Sequence, residues 1–406
     1  MASSVPHAGA LSQHFDRNVS DTVVIKQARF DLGRYGTAEA AQMAANYWES
    51  TQRKHWQFTK QDLAAIRQRL DDEDPGLVQM FPLPQLRHLN IYFNQQINRL
   101  SKRIGLRQQV MATAQVYLKR FYTRIAIRQT NPYLVLTTVL YLACKMEECP
   151  QHIRMMTQEA RSLWPSDLHG HDPARVGECE FSLISEMHSN LIVHQPYRSL
   201  LGVQDEFGLT QDEMSLAWTV INDHYMTDLP LLHPPHVVAL TAVLLALVLR
   251  PSANTPAAGG AGGNAGAAAA AAAAGAGGVA MAATALAQAQ AQVQARAAAI
   301  AAAGAGGGTP GFGSQGSQQQ AGFSQGNSQG SLQGDSAAAE PKKVTDPRLA
   351  KVQRFAAWLA DSNIDIEAMV DCTQELISFY ECHEQYNDKH TKEQISRFIK
   401  ARNLDK

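Results

Sequence analysis

Cysteine is scarce and unpatterned in this 406-residue chain: Cys144, Cys149, Cys179, Cys372 and Cys382 form an odd set in no framework spacing. That argues against a disulfide scaffold and suits a reducing compartment. The closest two, Cys144 and Cys149, have no second ligand pair nearby, so no zinc pattern emerges. Charge of one sign is lacking as well. Lys plus Arg number 36 against 37 Asp plus Glu, a net charge of −1, which offers no general attraction to nucleic acid or to an anionic membrane. Long apolar runs are missing too. The longest, Val237 to Leu249, falls short of the ~20 residues that cross a bilayer and reads as a buried core helix. The N-terminus has no basic-then-apolar leader.

Catalytic constellations are equally absent. A nucleophile with its base, a metal cluster or two carboxylates in one pocket cannot be assembled at meaningful spacing. His152, His169, His171, His188 and His194 are scattered. The glycine clusters around Gly259 and Gly306 follow no strand and precede no Lys-Ser/Thr pair, so they are not phosphate loops. The expectation is a chain without metal or cofactor that is not an enzyme.

What is present is helical periodicity. A hydrophobic content of 45% supports sizeable cores, and the length suggests two to three domains of roughly 150 residues. Residues 1–43 are polar and weakly patterned and read as a flexible extension. Residues 44–75 read as an N-terminal helix from Ala45 to Leu70, ended by the run Asp71 to Gly76. Leu83 to Ile104 follows, with Gly105 as its stop. Arg107 to Ile127 carries Val110, Ala114, Tyr117, Leu118 and Phe121 at the spacing of a buried stripe. Pro132 forces a break, and Tyr133 to Met146 is apolar enough to lie at a domain centre. Val176 to Val193 places Phe181, Ile184, Met187 and Leu191 on one side. No strand-length alternation competes, so the fold is expected to be all-α.

An internal repeat is detectable at a shift of 103 residues. It places Ala114 on Ala217, Tyr122 on Tyr225, Pro132 on Pro235, Thr138 on Thr241, Leu142 on Leu245 and Ala143 on Ala246. Two units of one architecture are therefore expected, at 83–195 and from 196 onward. The second is interrupted at 251–342 by an Ala/Gly stretch and then a Gly/Ser/Gln stretch that cannot bury a core. Val279 to Ala303 is Ala-rich enough for a marginal helix. Helical pattern resumes over 343–400.

The repeat also isolates a charged group. Lys145 falls on Val248 and Glu148 on Pro251, so the Lys145, Glu147 and Glu148 cluster belongs to one unit only. Lys145 lies one turn beyond Tyr141 and Leu142. Glu180 stands four residues before Ile184 on an apolar stripe. A lone charge in such a place would cost several kcal/mol, roughly, so each needs a partner. Either the two form a buried structural bridge, or both project as a charged pair framed by apolar side chains, as a helix-docking surface would. Arg120, Arg124 and Arg128, at i, i+4 and i+8, suggest a basic ridge, either solvated or facing an acidic partner.

The runs VYLKRFY, NPYLVLTTVLYLACKMEE, ECEFSLISEM, HQPYRSLL and AWTVINDHYMTDLPLLHPP resemble the cyclin family, and within it the fungal type of the Mediator kinase-module branch, cyclin C. The resemblance covers about Ala45 to Arg250 and resumes near Asp346 to Asn387. It implies two tandem five-helix cyclin boxes and a non-catalytic subunit that activates a cyclin-dependent kinase. It also implies association with other Mediator kinase-module subunits and, indirectly, RNA polymerase II, in the nucleus, with phosphorylation of the polymerase C-terminal repeat domain. By motif, the Lys and Glu that contact the kinase's regulatory helix fall on Lys145 and Glu180, with Tyr141 and Leu142 beside them. A groove for a second subunit falls on Trp48, Glu147, Glu148, Asn222, Asp223 and Tyr380. The sequence departs from cell-cycle cyclins at their Met-Arg-Ala-Ile-Leu substrate-recruiting segment, which here reads Leu89 to Phe93. A cyclin-like transcription-factor scaffold without a kinase is the alternative.

Overall fold

The computed structural model describes residues 46–165, 172–249 and 347–404, with scattered positions between Thr284 and Ala298 that are helical. The expected extension at 1–43 and most of the 251–342 insertion lie outside the described residues, as do His169 and His171. Every regular element among the described residues is a helix.

The first five-helix unit is built on α4 (Leu86–Ile104), α5 (Gln108–Phe121), α6 (Pro132–Met146), α7 (Ile153–Leu163) and α8 (Pro173–Glu186). Three helices, α1 (Thr51–Trp56), α2 (Lys60–Asp72) and α3 (Pro75–Met80), precede them. Local chemistry sets the ends. Gly105 closes α4 at φ +77°, a left-handed position glycine adopts without cost. Pro132 and Pro173 open α6 and α8, where the missing N–H is not needed, and Asn131 accepts from the Tyr133 amide as the cap of α6. α5 stops at Phe121, earlier than the expected Ile127, and the chain makes a 3-10 turn at Ile127–Gln129 before α6. α7 has no counterpart in the sequence reading, although Met156, Thr157 and Ala160 give it a buried face.

The second unit repeats the plan: α9 (Pro196–Phe207), α10 (Gln211–His224), a single turn α11 (Leu229–Leu232), α12 (Pro235–Leu249), α13 (Pro347–Asp361) and α14 (Ile366–Glu384). The 103-residue shift carries Gln108, the start of α5, onto Gln211 of α10, and Pro132 of α6 onto Pro235 of α12. The repeated residues Ala114, Ala217, Thr138, Thr241, Leu142 and Leu245 are all buried. α6 and α12 are the apolar centres of the two cores, where each fully buried Leu or Val contributes about 1.5–3 kcal/mol of transfer free energy. The insertion leaves and re-enters at one place. Arg348 Nε donates to the Leu247 carbonyl at 2.9 Å, and Lys351 Nζ reaches Glu213 at 2.8 Å.

Two expectations are corrected. The N-terminal helix of 44–75 is broken into short pieces, because the Thr59 hydroxyl and Asp62 form a capping box that starts α2 afresh. These pieces tie the two units together: the Phe58 amide donates to the Leu231 carbonyl, Arg67 binds Asp228 through two 2.9 Å contacts, and Trp56 enters the first core. The last helix, α15 (Asp388–Ala401), does not complete the second unit. Its Ile395, Phe398 and Ile399 are buried in the first core against α4.

Candidate functional site

Lys145 lies in the last turn of α6, where helix carbonyls favour a cation, and Glu180 lies in α8. Lys145 Nζ is 2.8 Å from each Glu180 carboxylate oxygen and 4.3 Å from the centroid of the Tyr141 ring. Burial by itself pulls the ammonium down, and the hydrogen bond and charge of Glu180, with Tyr141 beside it, more than reverse this, holding it above its usual pKa. The ammonium is therefore charged at neutral pH. It is also not deeply buried: the lysine side chain is 41% exposed and the glutamate 14%. The two residues pair with each other, and they do so at the surface rather than as a buried bridge.

Beside Glu180, Phe181 is 79% exposed. The sequence reading put it on the buried stripe of α8, but that stripe is Val176, Leu183 and Met187. Met146, next to Lys145, is 39% exposed. An ion pair flanked by bare apolar side chains is an arrangement suited to docking another protein. Leu142 is corrected: only 2% exposed, it packs in the first core, one position away from the half-buried Tyr141, and cannot reach a partner.

The six residues expected to share a second groove divide into separate places. Trp48 packs on His236 at 5.4 Å and under Arg53 at 5.1 Å. It borders a groove of about 840 Å³, with Phe58, Lys60, His236, Trp358 and Asp371 on its walls, and none of the other five candidates lines it. Glu147 accepts from Thr113 and Gln109, and Thr113 in turn accepts from Gln195 at 2.8 Å. Gln195 accepts from Tyr225, which packs near Tyr197, whose hydroxyl donates to Asn222 at 2.7 Å. Glu147 and Asn222 thus stand at two ends of one polar path between the units. Glu148 is exposed at φ +50°. Asp223 and Tyr380 are corrected: both are buried, and the tyrosine hydroxyl donates to the Asp223 carboxyl at 3.3 Å. Burial raises the Asp223 pKa well above the usual carboxylate value, against the lowering by that hydrogen bond.

The basic ridge is not formed. Arg120 is fully buried and donates to the Asn190 and Ile192 carbonyls, with Trp56 under its guanidinium at 5.3 Å. Arg128 lies beyond the end of α5 and pairs with Asp71. Arg124 alone is exposed.

Residues 79–192 match the family model of the cyclin N-terminal domain. Over 371 residues the chain is 65% identical to the RNA polymerase II holoenzyme cyclin-like subunit of Neurospora crassa, covering 90% of this chain and 100% of that one. The chain belongs to the cyclin family. A relative with the same description in Gibberella moniliformis is 53% identical, over 90% of this cyclin and 100% of that protein. Among solved structures, the CAK complex of Chaetomium thermophilum contains a chain with a TM-score of 0.42 and 21% identity, over 52% of this cyclin and 70% of that chain. A chain of the yeast TFIIK complex matches with a TM-score of 0.42 and 20% identity, over 49% and 85%. As a cyclin, the protein is a regulatory subunit and not a catalyst. Leu89, Ile91, Tyr92 and Phe93 are buried, with Leu89 and Phe93 also lining a cavity at the first core. Among the described residues no group of three His, Cys, Asp or Glu is placed to hold a metal, and no helix is long and apolar enough to cross a membrane.

Proposed function

We propose that this cyclin binds and activates a cyclin-dependent kinase through the face formed by Lys145, Glu180, Tyr141 and Phe181. The observation that carries the proposal is the surface bridge with a bare phenylalanine beside it. A buried ion pair needs no exposed aromatic neighbour, whereas a docking site combines a charged register with an apolar anchor. Docking there would hold the kinase's regulatory helix inward, so that the kinase's own Lys–Glu pair forms and ATP is aligned. The relatives' association with the RNA polymerase II holoenzyme supports placing the complex in the nucleus as part of the Mediator kinase module, with the polymerase C-terminal repeat domain among its substrates. Trp48, Glu147, Glu148 and Asn222 remain candidates for contact with a further subunit, at separate positions rather than in one groove.

The test is affinity purification of the full chain from nuclear extract. A cyclin-dependent kinase and Mediator subunits should copurify with the wild type, and the kinase should be lost from Phe181→Ala and Lys145→Glu. Recovery of polymerase-associated factors with no kinase would favour the scaffold reading instead.

A further inference from the structure

At the opposite end of the α5–α6 hairpin from Lys145, a cavity of about 320 Å³ lies between α2, the turn before α4, and the C-terminal turn of α5. The orientation follows from contacts: Thr113 of α5 meets Glu147 past the end of α6, while Tyr122 meets Thr130 just before its start. The cavity is lined mainly by apolar groups, among them Leu70, Leu83, Leu86, Leu89, Phe93 and Ile127.

Its polar groups are Arg67, Asp71, Asn90, Lys119, Tyr122, Thr123, Arg128 and Asp228, and their charges can be paired off. Asp228 is held by both terminal nitrogens of Arg67 at 2.9 Å and by the Asn90 amide at 3.2 Å. Asp71 is held by Arg128 at 2.8 Å, and Arg128 also donates to the Phe81 carbonyl at 2.9 Å. Both carboxylates are engaged by arginine. Lys119 feels the Asp228 charge, which it helps hold below the usual carboxylate range, but does not reach it. It is only 9% exposed, opens on the cavity, and has no hydrogen-bond or ion-pair partner among the described residues. Burial lowers its pKa to about 8, with Asp228 pulling it up and Arg67 pushing it down, so it is largely protonated at pH 7. The side chain is largely covered while its ammonium keeps a limited opening, and a cation with so little water and no hydrogen bond is costly in a folded protein.

We propose that this cavity is a binding site for a medium-chain monocarboxylic acid, its carboxylate on the Lys119 ammonium and its alkyl body against the surrounding leucines and Phe93. One surplus positive charge calls for one negative charge, which a carboxylate supplies and a doubly charged phosphate would exceed. The volume is at the small end of ligand pockets, and an apolar wall faces a set of polar groups that are held in place by hydrogen bonds apart from Lys119. None of the lining residues belongs to the Lys145 face, so the site stands or falls independently of kinase binding.

The test is calorimetric titration of the full chain with octanoate, with octylamine and inorganic phosphate as controls, on wild type and Lys119→Met. Octanoate should bind and octylamine should not, and the loss of one charge-assisted hydrogen bond should weaken octanoate by at least about tenfold in the variant. Should Lys119→Met misfold, a second readout uses wild type alone. Limiting acetic anhydride at pH 8 should acetylate Lys119, read by peptide mass spectrometry, and octanoate should suppress that labelling severalfold while other lysines are unchanged. Absent octanoate binding, equal binding to Lys119→Met, tighter binding of phosphate, or Lys119 labelling insensitive to octanoate would each overturn the proposal.

Discussion

Inverting the Lys145–Glu180 bridge separates its part in the fold from its part in docking. Three variants are needed: Lys145→Glu, Glu180→Lys and the double exchange. The bridge has good geometry, with both contacts at 2.8 Å, but the lysine side chain is 41% exposed. Solvent screening therefore keeps it in the range of surface pairs, about 0–1 kcal/mol. Each single variant replaces this attraction with repulsion of similar size, so the expected cost is at most about 2 kcal/mol, or a Tm lower by no more than roughly 8 °C on the scale of medium-sized domains. Across a desolvated interface, removing one member of a charge pair costs about 2–5 kcal/mol, a Kd weaker by about 30-fold to several thousandfold.

The double exchange restores the intramolecular bridge with its polarity reversed. Stability should return to that of the wild type, while the kinase meets a glutamate where it expects a lysine and binding stays lost. Thermal unfolding by circular dichroism and kinase binding by surface plasmon resonance measure the two effects on the same preparations. If the double exchange recovered both stability and affinity, the bridge would be structural alone and the docking argument refuted.

Other perturbations follow from burial. Phe398→Ala removes a side chain that is 1% exposed and fixes α15 on the first core; it should cost about 3–5 kcal/mol by chemical denaturation, with hydrogen exchange accelerated in α4. Asp223→Asn removes a buried carboxyl whose Oδ1 has no hydrogen-bond partner. Because the native pKa of Asp223 is raised, its contribution is most favourable below the unfolded value and is lost as pH rises. The variant should therefore gain on the wild type from about pH 4 upward, by about 1 kcal/mol or more in denaturation curves at pH 7. Buried His224 and partly buried His236 have native pKa values lowered to about 3 and about 4, chiefly by desolvation. Their neutral forms favour the fold above pH 6.5, so Tm should fall as pH drops from 6.5 toward 4, and replacing His236 with Gln should flatten that profile.

Features with a local cause were legible in the sequence. Proline at the start of α6 and of α12, glycine at the end of α4, and apolar runs too dense for a surface helix gave the repeat and both core helices, because each signal acts within a turn or two. The failures have a common origin in contacts between distant residues. Arg120 gives no sign in its own neighbourhood that carbonyls 70 and 72 positions away will receive its guanidinium. Tyr141 and Leu142 are adjacent, yet a rotation of about 100° separates a half-buried ring from a core side chain. Phe181 fits one helical stripe as well as Leu183 fits another, and only the packing of α8 on α6 decides between them. Asp223 gives no sign in its own neighbourhood that its carboxyl will be buried against Tyr380, 157 residues away. In α15, the spacing of Thr391, Ile395 and Phe398 marks a buried face, but not which of the two cores will cover it.

The asymmetry between the two boxes has a physical basis at the ends of the equivalent helices. α6 finishes with its last turn open to solvent, and Lys145 supplies the cation that such an end favours. In α12 the position related to Lys145 is Val248, which is fully buried, and the terminal carbonyls of Leu247 and Val248 are taken by the guanidinium of Arg348 as the chain returns from the insertion. The same electrostatic need is met in both boxes, by a surface lysine in the first and by an arginine reaching across from α13 in the second. A lysine at position 248 would have no route to solvent, so a charged docking pair like that of the first box cannot form there while α13 stays in place.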